Sequence, residues 1–304
     1  MKKLNKILIY SVSLLLLTVL GGIACSKEDA PDTDRTVIDF GTPKSTTFDK
    51  YLEKIFVKPY NISYLYRWED VESDMDYTLV PASYENSVKM ANLVKYLCLD
   101  AYDAVAPKGF LQKYFPKMIM LVGSYAYRNN GTIVLGTAEG GLKITLYGMN
   151  SLETNFSNPA NIEFLYNYYF RTIFHEFSHI LHQTIDYPVE FRLVTSKEYI
   201  GDSWSNNDNT ETNAYQKGFI SRYSMKDPNE DFVELIAHYI TYSDVQWQKA
   251  LTAAGTTGAP IINQKIEIVK NYLQNAWKID LDALRTEVQT RANNLQNIDL
   301  DNIN

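Results

Sequence analysis

Three of the chain's four histidines fall within eight residues, in Ile-Phe-His-Glu-Phe-Ser-His-Ile-Leu-His-Gln (173–183). Within that run, His175-Glu176-Phe177-Ser178-His179 is an H-E-x-x-H pattern. Positions i and i+4 of a helix share one face about 5–6 Å apart, so two imidazoles at this spacing can meet one zinc ion at tetrahedral angles. Glu176 stands on the adjacent edge, where a carboxylate can take a proton from water bound beside the histidines. His182 shares the face but lies about 10.5 Å along the axis from His175. It is therefore expected to support a ligand, face substrate or make a structural hydrogen bond rather than bind the same ion.

A zinc site of this type needs a third ligand. The histidine that a metzincin would carry ten residues after His175 is absent, since position 185 is Ile185. Carboxylates are available in Asn-Glu-Asp-Phe-Val-Glu-Leu-Ile-Ala-His (229–238), where Glu230 and Glu234 are four apart on an otherwise apolar helix. Acidic residues in a first helical turn are favoured by the helix dipole, which accounts for Glu230 and Asp231 but less well for Glu234. One glutamate is expected to bind zinc and the other to hold a ligand imidazole in place.

The elements that must position these groups read from hydrophobic spacing. Helices are predicted over 47–58, from 83 or 84 to 105, from Pro159 to about Gln183, and over 228–243, 244–254, 261–276 and 280–296. Strands are predicted at 62–67, 117–127, 132–135 and 142–147, with a turn at Asn129-Asn130-Gly131. The expected fold class is α/β (α+β), zincin-like. A small twisted sheet should pack on the H-E-x-x-H helix, and a helical C-terminal lobe should carry Glu230. One catalytic domain is expected over 46–304, with lobes at about 46–183 and 184–304. The irregular stretch 184–227 should line the cleft, with Tyr187, Phe191, Tyr199 and Trp204 as candidate contacts.

The chain has 304 residues, is 45% hydrophobic and carries a formal charge of −7. With that balance and no long basic run, a nucleic-acid partner is not expected. No glycine-rich phosphate loop appears, so the metal is the one cofactor implied. Cys98 sits in an apolar run and reads as a buried small hydrophobe with no catalytic role.

The pair H-E-x-x-H and Glu230-x-Phe232-x-Glu234 resembles the gluzincin peptidases related to anthrax lethal factor and the clostridial Pro-Pro endopeptidases. That resemblance implies that Glu230 is the third ligand. It also implies that Tyr223, seven residues before it, donates to the oxyanion. H-E-F-S-H-I-L-H-Q, G-F-I-S-R-Y (218–223) and N-E-D-F-V-E, together with the leader, are similar to the Bacteroidetes substrate import-associated zinc metallohydrolase lipoproteins. These are also called putative zinc-binding metallopeptidases. The similarity implies one Zn2+ ion, a peptide or protein substrate, and a TonB-dependent transporter with its lipoprotein partner nearby.

The leader has a basic start and an apolar run from Ile7 to Leu20, too short for a bilayer span but suited to an export signal. Gly-Gly-Ile-Ala-Cys (21–25) resembles a lipobox, with Gly22 where leucine is usual. Residues 1–24 then read as a lipoprotein signal peptide, Cys25 as the lipidation site and 25–45 as a tether. An ordinary signal peptide cut nearby is the alternative. Ser26-Lys27-Glu28-Asp29 resembles a surface-export tether. The expectation is an outer-membrane lipoprotein, exposed at the cell surface and held by its lipid alone. Two other functions fit the same residues. One is an accessory lipoprotein that binds peptide or glycan without catalysis. The other is a zinc hydrolase of a non-peptide bond.

Overall fold

In the computed structural model, residues 45–69, 76–127, 133–134, 136–139 and 142–304 are described. The leader, Cys25, the tether and the Asn129-Asn130-Gly131 turn lie outside them. Helix α1 (47–60) starts from a capping box: the Thr46 hydroxyl accepts from Asp49 N, and the Asp49 carboxylate accepts from Thr46 N. It ends at Asn61, which adopts φ 55°. Helix α2 runs over 84–105 and short α3 is Phe110–Tyr114.

The main sheet contains β1 (Ser63–Leu65), β2 (Met118–Leu121), β5 (Gly136–Glu139) and β6 (Lys143–Leu146), in the order β1-β2-β6-β5. The first three strands are parallel, with Ile119 beside Ile144, and β5 runs antiparallel along the edge. Ile119, Leu121, Ile144 and Leu146 are all buried. Such burial suits parallel strands covered on both faces. Strands β3 (Ala126–Tyr127) and β4 (Ile133–Val134) form a separate antiparallel pair. The apolar run predicted as one strand over 117–127 is thus two short strands.

Helix α4 (159–184) begins at Asn158, whose side chain accepts from Ala160 N, with Pro159 at its first turn. A π-helical turn at Tyr166–Phe170 precedes the segment Arg171–Thr184. Beneath that segment, Phe177 packs edge-on against Phe115 and Tyr102. Burial of one such ring contributes roughly 2–3 kcal/mol. Tyr169 donates to Gly148 O just beyond β6, tying the helix to the sheet. The β5 edge lies against α4.

Helix α5 (Val189–Val194) and helix α6 (Glu211–Gln216) lead to α7 (Pro228–Thr241), which packs along α4. Helix α8 (Asp244–Tyr272) was predicted as two helices. The structure keeps that division: the helix breaks at Gly255, whose φ of 66° and ψ of −161° are non-helical, and the second helix starts directly after it rather than at 261. Helix α9 (Leu281–Asn293) closes the C-terminal region. Cys98 is buried, and burial pushes its thiol well above the usual range.

Candidate metal centre

One cap sets the geometry. Asp227 accepts from the backbone N–H groups of Asn229 and Glu230, and Pro228 fixes the first turn of α7. These interactions hold Glu230 in the first turn while the rest of α7 lies on α4. His175 and His179 meet it from one face of α4. Their Nε2 atoms are 3.2 Å apart. Glu230 Oε2 is 3.2 Å from the first and 3.3 Å from the second. Among the described residues, this is the one group of three or more metal-binding side chains whose ligand atoms converge.

The triangle fits zinc. In a tetrahedral shell the ligand–ligand edge is about 1.6 times the metal–ligand distance, so these edges correspond to about 2.0 Å, the usual Zn–N and Zn–O length. The donor set is also right: two nitrogens and one carboxylate oxygen, with three protein ligands rather than four.

Each member is held from behind. His175 Nδ1–H donates to Glu234 Oε1 at 2.8 Å, which leaves Nε2 as the lone-pair nitrogen. Glu234 Oε2 accepts from Ser221 Oγ at 2.6 Å. His179 Nδ1–H donates to His182 Nε2 at 3.0 Å. Glu230 Oε1 accepts from Tyr223 OH at 2.8 Å and from Lys226 Nζ at 2.9 Å. His238 is tucked under Glu234, its Nδ1–H donating to Glu234 O at 2.8 Å.

The charges follow from these contacts. Burial alone would raise the Glu230 carboxyl, but the His175 and His179 imidazoles and the Lys226 ammonium against it outweigh burial and hold the group well below the carboxylate range. Burial likewise opposes ionisation of Glu234; the His238 and His175 imidazoles and the Ser221 hydroxyl hold it at about 2. His182 is pushed down to about 4 by burial and by His179, so it is a neutral acceptor at pH 7. Glu176 is raised by burial, against the pull of both imidazoles. That places a more basic carboxylate beside the cluster.

The structure brings together His175, Glu176, His179, His182, Tyr223, Glu230 and Glu234. It separates the two glutamates by position: Glu230 points into the triangle and Glu234 to the far side of His175. His182 contacts His179. Lys226, Ser221 and His238 were not anticipated. Lys226 stands before the extended Asp227 cap and so off the helix that carries Glu230, which is why helical spacing gives no signal for it.

Three of the four predicted cleft contacts are corrected. Tyr187 and Phe191 are buried, packing on Phe232 at 4.2 and 5.0 Å between ring centroids, so they form core. Tyr199 donates to Asp231 Oδ2 at 2.9 Å and packs on Phe219. Trp204 alone faces the site, its ring 4.8 Å from Tyr223. The segment 218–223 approaches because Gly218 adopts φ 87°, where a Cβ would strike Ile261 at 2.3 Å.

A family model described as "Putative zinc-binding metallo-peptidase" matches residues 42–282. The chain is 38% identical to a putative zinc-binding metallo-peptidase from Bacteroides caccae ATCC 43185, whose crystal structure superposes with a TM-score of 0.74. The match covers 88% of this chain and 100% of that one. No curated protein matches.

Proposed function

The chain belongs to the putative zinc-binding metallo-peptidase family, and from that premise we propose that it hydrolyses peptide bonds using one zinc ion held by His175, His179 and Glu230. The observation that carries this reading is the three-atom triangle with edges of 3.2, 3.2 and 3.3 Å. When bound, zinc supplies a Lewis acid for the scissile carbonyl and lowers the pKa of a water to about 7.

The chain's own residues do the rest. Glu176 accepts the proton of the attacking water and returns one to the leaving amine, a role its burial-raised pKa suits. Glu234 and His182 fix the ring orientations of His175 and His179. Lys226 holds Glu230 Oε1 in place. Tyr223 reaches the same oxygen and is the hydroxyl best placed to turn toward a developing oxyanion. A purely structural zinc normally has four protein ligands. Three converging donors among the described residues therefore favour catalysis over an accessory binding role.

The test is zinc content and hydrolysis of a peptide panel by the mature chain. One zinc per chain is expected, with Glu176→Gln keeping the metal and losing about 100-fold or more in kcat. Glu176→Gln at full activity, or a wild type without zinc, sinks the reading. Glycan amides in the same panel address the non-peptide alternative.

Anchoring is part of the proposal. Cys25 is read as the acylated residue of an outer-membrane, surface-exposed lipoprotein working beside a TonB-dependent transporter and its lipoprotein partner. The motif Gly-Gly-Ile-Ala-Cys and the leader's charge and length support it. No helix among the described residues is long and apolar enough to cross a membrane. Cys25→Ala should move the protein from the membrane to the soluble fraction; retention in the membrane refutes acyl anchoring.

A further inference from the structure

A cavity of about 490 Å³ adjoins the metal centre, with Tyr223, Glu234, His238 and Arg171 in its wall. Arg171 is four residues before His175 on α4, about 6 Å along the axis. One terminal nitrogen of its guanidinium donates to Asn167 Oδ1. The group lies over the Tyr242 ring, 5.1 Å from its centroid, which fixes its plane. Its Nε is buried and has no hydrogen-bond partner among the described residues.

The carboxylates nearby are engaged elsewhere or lie at the rim. Glu234 accepts from His175 and Ser221. Glu211 accepts from Arg222 N at 2.9 Å and stands 4.0 Å from the Arg222 guanidinium. Glu163 and Lys249 are exposed at the cavity's edge. His238 feels the guanidinium: burial first and then Arg171's charge push it down to about 3. An oriented guanidinium with donors to spare matches a carboxylate in two-point geometry.

We infer that Arg171 is the specificity-determining residue of this cavity and takes a substrate carboxylate, supplied by an Asp or Glu side chain of the substrate or by a free peptide C-terminus. The inference rests on the peptidase reading above.

Binding to the zinc-loaded mature Glu176→Gln protein tests it apart from turnover. The probes are fluorescein-labelled octapeptides: an amidated neutral Gln series, the same series with one Glu walked through each position, and the neutral series with a free C-terminus. At least one carboxylate-bearing series should bind about tenfold tighter than the amidated neutral one. Adding Arg171→Gln should shrink that preference to within about twofold, and Arg171→Lys should keep part of it. The series that shows the preference identifies the source of the carboxylate.

Equal binding across the three series, no binding in any, or a preference that survives Arg171→Gln overturns the inference. If Arg171→Gln does not fold, the Arg171 Nε–H resonance of the Glu176→Gln protein is read instead. It should shift with the Glu peptide and not with the Gln peptide; an unmoved resonance overturns the inference. Cleavage of neutral peptides by wild type without carboxylate preference would leave the peptidase reading standing and remove this one. Carboxylate binding at Arg171 with no peptide cleaved would do the reverse.

Discussion

Glu234→Ala separates a ligand from the group that holds a ligand. Glu234 is buried and accepts two hydrogen bonds, from His175 Nδ1–H at 2.8 Å and from Ser221 Oγ–H at 2.6 Å. Alanine removes the acceptor that fixes the His175 tautomer and ring angle, and it leaves the triangle's three donor atoms in the chain. A hydrogen bond to a charged acceptor contributes about 1.5–3 kcal/mol. If that whole difference is expressed in zinc binding, affinity falls by about 10- to 100-fold, the size usual for such supporting partners. Glu230→Ala deletes a donor outright and should cost at least about tenfold more than Glu234→Ala. Glu234→Gln keeps an oxygen for Nδ1–H and should fall between wild type and Glu234→Ala. The assay is zinc competition against a chromophoric chelator at pH 7, with urea unfolding as a control. Zinc lost in Glu234→Ala and retained in Glu230→Ala would exchange the two roles. Wild-type affinity in Glu234→Ala would refute the claim that this carboxylate orients His175.

Tyr223→Phe should lower kcat by about 100-fold if its hydroxyl meets the oxyanion, with zinc content unchanged; a kcat within twofold of wild type refutes the role. The Lys265–Asp231 pair is buried at 2.6 Å, so Lys265→Met leaves a buried charge alone and should cost about 3–5 kcal/mol in urea unfolding. Lys265→Met with Asp231→Asn should recover much of it, and a double variant no more stable than the single one contradicts this. Asp49 is held at about 2: burial would raise it, but hydrogen bonds from Thr46, Arg67 and Tyr66 win. Because the folded value lies below the 3.8 of an unperturbed aspartate, the stability it adds is complete above that pH and is lost as pH falls through about 2. Discounted for its exposure, that is about 1 kcal/mol. The gap between wild type and Asp49→Asn in urea should therefore close between pH 4 and 2, and a constant gap refutes the assignment.

The sequence by itself determined the helix pair and its cargo. His175, Glu176 and His179 are local: one helical repeat puts the two histidines on one face and Glu176 on the adjacent edge wherever that helix packs. Glu230 and Glu234 were legible as a pair because two acids on a buried apolar helix need a reason to be there. The caps at Asn158 and Asp227 and the apolar strands near 119 and 144 are short-range signals of the same kind. Which glutamate turns inward was decided only by how α7 lies on α4, a relation between residues more than fifty positions apart. The same packing buried Tyr187 and Phe191, which look like cleft aromatics in a polar stretch but face Phe232. It also put His182 behind His179 and Arg171 beside a cavity, without an ion pair among the described residues. Periodicity fixes which residues share a face of an element. It carries no information on what that face meets, because that depends on contacts made across the chain once the elements have come together.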